Sequence, residues 1–145
     1  MRVMILRKAD PQTEAGALPT PELFEAMMRY TRELMDAGVM LSGDGLLPTS
    51  KGARVAFRGG VPTVTDGPFA ETKELIAGVS VWNVASLGEA VAWARRWPVE
   101  DGNGNVEIEI RPMYEADGFG EEFTETLRAQ EERLRANAQA PTHQP

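Results

Sequence analysis

Apolar residues fall in short, punctuated groups along the chain. Val3-Met4-Ile5-Leu6, bounded by Arg2 and Arg7, has the length of a strand. Residues 9–19 are polar and rich in Gly and Pro, which predicts a loop. Thr20-Pro21 then offers an N-cap with proline at the first helical position. Leu23, Phe24, Met27, Met28, Thr31, Leu34 and Met35 recur at three- and four-residue spacing and predict one apolar helix face, stopped at Gly38. Val39-Met40-Leu41 predicts a strand ending in a turn region over 43–48. Residues 54–58 alternate, Gly59-Gly60 is a two-residue hairpin signal, and 61–65 return. Pro62 cannot donate a ladder hydrogen bond, so that strand belongs at an edge. Residues 66–76 predict a turn that has room for one turn of helix, and 79–84 a strand. Ser86 with Glu89 is a capping box opening a helix faced by Leu87, Ala90, Val91, Ala94 and Trp97 and ended by Pro98. After a loop at 99–105, residues 106–111 alternate apolar and charged. Phe119, Phe123, Leu127 and Leu134 make a narrow stripe on a polar C-terminal helix.

This order predicts an α+β chain. Without its inserted β-hairpin it is the βαββαβ pattern of ferredoxin-like folds, followed by a C-terminal helix. Val3 and Ile5 oppose Met4 and Leu6, and Val79 and Val81 oppose Trp82 and Val84, so both sheet faces are apolar. Two helices cover one face, and a second subunit's sheet would cover the other, which predicts a homodimer. We expect a domain over 1–114, a helical extension over 115–137 and a disordered tail over 138–145.

Composition narrows the chemistry. The chain has 145 residues, enough for one domain, with no cysteine and a net charge of −7. Residues 115–145 carry seven acids and three arginines, so most of the acidity lies outside the expected core. An acidic chain without a basic cluster repels phosphate backbones, which argues against nucleic acid as a partner. No apolar run is long enough to span a bilayer and the charged start does not read as a signal peptide, so a cytoplasmic location is expected and no membrane partner. The one histidine, His143, rules out multi-histidine metal sites and Ser-His-Asp triads; we expect no metal and no cofactor.

The segment Val64-Thr65-Asp66-Gly67-Pro68-Phe69-Ala70-Glu71-Thr72-Lys73-Glu74, with Gly78 after it, resembles the DGPF motif of the YCII-related bacterial proteins. The likeness continues through Gly43-Asp44-Gly45-Leu46 to Pro48, Gly52-Ala53-Arg54-Val55, Glu89-Ala90 with Trp93-Ala94, Glu107-Ile108-Glu109-Ile110-Arg111-Pro112 and Glu115-Ala116-Asp117. Residues 128–134 are similar to the C-terminal extension of one subgroup. The resemblance implies a dimeric α/β barrel and a homodimer. It implies no settled reaction. Shorter relatives are proposed to use a histidine–aspartate pair, which cannot be carried over to a chain whose histidine is His143. DGPF proteins often accompany extracytoplasmic-function sigma factors, which implies a regulatory setting.

On its own chemistry Asp66-Gly67-Pro68 is a turn: Asp66 bonds a backbone amide ahead, Gly67 permits positive φ, and Pro68 starts a helical turn. The functional alternative sets Asp66, Glu71, Lys73 and Glu74 at the mouth of a cleft, with a carboxylate as general base and Lys73 holding an anion. Candidate catalytic residues are then Asp66, Glu71 and Lys73, and candidate ligand-binding residues Asp44, Arg54, Pro68, Phe69 and Glu74. Arg54 and Arg58 share a strand face and offer a carboxylate or phosphate site, or merely a solvated one. Trp82, Trp93 and Trp97 read as core or interface, and Gly102-Asn103-Gly104-Asn105 as a loop that could gate a cleft. Two functions follow: a small-molecule enzyme or binding domain using carboxylates without a cofactor, or a regulatory module that meets a sigma factor.

Overall fold

The computed structural model describes residues 1–70 and 74–139. They fall into two compact units, divided between Met113 and Tyr114. In the first, β1 (Arg2–Lys8), β2 (Met40–Gly45), β5 (Ile76–Asn83) and β6 (Ile108–Pro112) make a four-stranded sheet in the order β2-β5-β1-β6, every neighbouring pair antiparallel. Strand β1 lies inside this sheet and buries Val3, Ile5 and Arg7 on one face, alternating with half-buried Met4 and Leu6 on the other. The insertion forms a separate two-stranded sheet of β3 (Ala53–Arg58) and β4 (Val61–Asp66), so Pro62 meets the edge condition.

Helix α2 (Pro21–Asp36) begins as its sequence requires: Thr20 accepts the Leu23 N–H and Pro21 occupies the first turn. It and α3 (Leu87–Ala94) cover the Val3/Ile5 face, where Val3, Ile5, Tyr30, Leu34, Trp82, Val84 and Ala90 form the core. The buried stripe of α2 is Ala26, Tyr30 and Leu34, not the full face the spacing predicted. Phe24, Met28 and Met35 lie a third of a turn or more round the helix from Tyr30 and are exposed, Met35 at 61%. Helix α3 ends at Ala94, so Trp97 sits in the following turn and not on the helix face. At the start of α3, Ser86 accepts the Glu89 N–H and the Glu89 carboxylate accepts the Ala85 N–H.

Two segments expected to be irregular are ordered. Within 9–19, α1 (Pro11–Glu14) carries its own capping box: Asp10 accepts the Gln12 and Thr13 N–H groups, and Thr13 accepts the Asp10 N–H. Gly43, Asp44 and Gly45 are part of β2 and paired with β5. The second unit contains a stack of Tyr114, Phe119 and Phe123 and helix α4 (Glu125–Gln139). Thr124 caps α4 through the Leu127 N–H, and Gly120 (φ 76°) breaks the chain before it. Phe119 and Phe123 therefore precede the helix instead of sharing its stripe with Leu127 and Leu134. Of the expected tail, 138–139 belong to α4 and 140–145 lie outside the described residues. No helix among the described residues is long and apolar enough to cross a membrane.

Candidate functional site

The register of the main sheet creates a gap beneath α2. On the face toward the helices, one cross-strand row is Met40, Trp82, Val3 and Pro112, which is filled. The next row is Gly43, Ser80, Ile5 and Ile110, and the one after it Gly45, Gly78, Arg7 and Ile108. On β2 and β5 these two rows offer three glycines and a serine where a packed sheet would present large side chains. The space left over is a half-open cavity of about 330 Å³, bordered by Met27 and Thr31 of α2 and by Trp97. That volume is at the small end of ligand sites.

The cavity's polar wall is an ion-paired cluster. Arg7 is 7% exposed because it continues the Val3/Ile5 alternation into the interior. Its Nε donates to Asp101 Oδ2 at 3.1 Å and its Nη2 to Asp101 Oδ1 at 2.6 Å. Nη1 donates to Asp10 Oδ2 at 3.0 Å and to the Lys8 carbonyl at 2.8 Å. Trp97 Nε1 donates to Asp101 Oδ2 at 2.9 Å. Burial opposes the charge on Arg7, but its bonds and proximity to Asp101 and Asp10 outweigh that and raise its pKa. Burial likewise opposes ionisation of Asp10, yet the Thr13 N–H, Arg7 and the Gln12 N–H together hold its pKa below the ordinary carboxylate value. Asp101 is presented by a tight turn in which Gly102, Asn103 and Gly104 all have positive φ. A Cβ on Gly102 would lie 2.9 Å from Val106 Cγ1, so that turn can close over Arg7 only with glycine there. A second, more polar cavity of about 240 Å³ shares Arg7, Thr13 and Asp101, so the ion pair is a partition between two spaces.

Residues 1–114 match the family model of the YCII-related domain. The chain belongs to the YCII-related family. An uncharacterised protein of Rhizobium meliloti (strain 1021) is 36% identical over 83 residues, an alignment covering 57% of this chain and 65% of that protein. The YCII-related chain thus spans just under two thirds of that relative's length. The solved structure of 5-chloro-2-hydroxyhydroquinone dehydrochlorinase from Burkholderia phenoliruptrix AC1100, in complex with 2,5-dihydroxybenzoquinone, is 14% identical, with a TM-score of 0.44 over 81% of this chain and 98% of that one.

In this YCII-related chain the DGPF residues gather at the base of the hairpin. The Gly67 N–H donates to the Gly52 carbonyl at 3.0 Å, and a Cβ on Gly67 would sit 1.6 Å from the Thr49 carbonyl oxygen. Thr49 Oγ1 accepts the Phe69 N–H at 3.0 Å and donates to Glu14 Oε2 at 2.7 Å. Arg54 lies over the half-buried Phe69 ring at 3.9 Å. Asp66, Pro68 and Glu74 are exposed. Of the residues proposed from sequence, Asp44 borders the cavity, although strand alternation turns its carboxylate to the opposite face. Arg54, Asp66, Pro68, Phe69 and Glu74 are not among its lining residues, and Glu71 and Lys73 lie outside the described residues. Sequence reasoning missed Arg7, Asp101 and the glycine rows. A period-two reading of Val3, Ile5 and Arg7 would have found Arg7, and a core-face reading of Gly43, Gly45 and Gly78 would have found the gap.

Proposed function

We propose that this YCII-related domain binds a small organic molecule in the cavity between α2 and the sheet. The observation that carries this is the pair of side-chain-poor rows over Gly43, Ser80, Gly45 and Gly78, which hold open an apolar space ending at the buried Arg7–Asp101 pair. The cavity joins apolar walls to convergent polar groups, the composition of small-molecule sites. Any carboxylate-based proton transfer in the cavity falls to Asp101 rather than to Asp66. The domain acts as a ferredoxin-like unit in a homodimer. Supporting this are the apolar character of both sheet faces and the hairpin's uncovered Val55, Phe57, Val61 and Val64.

Gly45→Leu tests the binding site. No atom lies within 4 Å of a Cβ at this position, so a leucine enters the cavity without displacing the sheet. In a screen of ring-sized fragments by ligand-observed NMR, hits on the wild type disappear with Gly45→Leu. A fragment set indifferent to the substitution would defeat the proposal.

A second reading makes the chain an accessory module of an extracytoplasmic-function sigma factor. The exposed Leu127 and Leu134 of α4 favour it. Co-purification with an extracytoplasmic-function sigma factor of the same cell, lost on Leu134→Asp, would support this reading, and its absence with the wild-type chain would remove it.

A further inference from the structure

On the bare stretch of β2 and β5, Ser80 alone carries a polar side-chain atom, and from it we infer the chemical class of ligand; the inference rests on the cavity being the binding site. Alternation with Trp82 and Gly78 puts Ser80 on the helix-facing side of β5, where it is 8% exposed. Among the described residues its hydroxyl makes no hydrogen bond. Nor is it sealed in the interior. The buried side-chain atom left without a partner is Trp82 Nε1, one row away and not on the cavity, whereas Ser80 lines it. Gly43, its neighbour on β2, keeps the serine uncovered: a Cβ there would lie 3.1 Å from Ser80 Cβ and 3.5 Å from Met40 Cε. Ile5 is its partner on β1. Ser80, Ile5 and Met40 therefore belong to one wall of one cavity.

An unpaired hydroxyl in such a place costs free energy, and alanine would leave the same space without that cost. A ligand that bonds the hydroxyl removes it. Serine donates one hydrogen bond and accepts two, so it suits a neutral oxygen, either hydroxyl or carbonyl. Charge narrows the class. Arg7 and Asp101 on the cavity's lining already pair with each other, and the Asp44 carboxylate turns to the opposite face. An ionic ligand would lose water and meet no unpaired opposite charge. Ile5, Met27, Met40 and Trp97 suit an apolar body, Trp97 and the methionines the faces of a ring. The ligand is thus an uncharged, largely apolar compound with a single hydroxyl or carbonyl. Ser80 is its specificity-determining contact.

Ring-sized probes test this. Phenol and acetophenone carry the neutral oxygen, toluene lacks it, and benzoate adds a charge. Each is titrated into the ¹⁵N-labelled full chain while the amide signals of Gly43, Gly45 and Gly78 are followed. In Ser80→Ala the tighter-binding of phenol and acetophenone is expected to weaken about fivefold, the worth of one neutral hydrogen bond. Toluene should bind the variant at least as well as the wild type, and benzoate should be the weakest probe on both. The urea midpoint of Ser80→Ala should not fall, since no protein group loses a partner. Toluene weakened as much as the oxygen-bearing probe, that probe unchanged, or benzoate binding most tightly overturns the ligand class; with all shifts lost in Gly45→Leu, the cavity reading still stands. A Ser80→Ala chain that fails to fold also overturns the class, because the hydroxyl would then be spent inside the protein. If no probe shifts the three glycines, or Gly45→Leu leaves the shifts intact, the cavity reading itself falls and this inference with it.

Discussion

Asp10 shows how one side chain links a loop to a buried site. It caps α1 and also holds Arg7 against Asp101. Its folded pKa is lowered, so its charge stabilises the fold above the unfolded carboxylate pKa of about 4, and that contribution fades as pH falls through the lower folded value. Asp10→Asn keeps a capping oxygen and removes the charge. It should cost about 1 kcal/mol at pH 7, and the gap between wild type and variant should close below about pH 4. Urea titrations at several pH values measure this; a gap that widens on acidification would contradict it. Gly67→Ala is harsher, because the added Cβ would overlap the Thr49 carbonyl. A loss of more than about 3 kcal/mol is expected, seen in the same titrations. Asp66-Gly67-Pro68 reads in the sequence as a turn with positive φ at Gly67; instead Asp66 ends β4, Gly67 has no positive φ, and glycine is required there by close approach to the Thr49 carbonyl. Arg7 was visible as a charge ending an apolar run. That it is buried depends on Asp101, 94 positions away, which no local pattern reveals.

At the level of elements, periodicity located the helices and strands better than it oriented them. Both caps, Thr20 and Ser86, depend on contacts within four residues and were legible in the sequence. The buried stripe of α2 was not, because methionine and phenylalanine at neighbouring angles are equally apolar and the sheet decides which ones meet it. The difference is measurable. Leu34 is fully buried, and Leu34→Ala should cost about 2–5 kcal/mol. Met35→Ala, one position along, should change stability by less than about 0.5 kcal/mol in the same chemical denaturation. Equal effects would mean that Met35 is covered in solution. The glycines of β2 illustrate the opposite problem. Gly-Asp-Gly resembles a turn in isolation, and only pairing with β5 makes it a strand. The candidate site was missed for the same reason: a cavity made by absent side chains leaves no chemical signature to search for.

For the whole molecule, charge and apolar surface act in opposite directions. Each chain carries −7, so two copies bring twice that, −14, into one particle. Long-range repulsion resists such pairing, and apolar burial must drive it. The hairpin is the clearest source of such surface. Val55 pairs with Val64 and Phe57 with Pro62 on one of its faces, and Phe57 and Val64 are 69% and 65% exposed. A homodimer should therefore appear at about twice 15.9 kDa in light scattering at micromolar concentration. Its dissociation constant should fall as salt is raised, because screening removes the repulsion while apolar contact persists. Phe57→Asp should shift the mass toward a single chain without loss of far-ultraviolet circular dichroism, since the hairpin side chain is outside the core and a charge there is costly only inside an interface. Leu6→Asp, on the sheet face opposite Val3 and Ile5, tests the other contact in the same light-scattering measurement. A wild-type mass of one chain at every salt concentration would leave the exposed hairpin for a different partner.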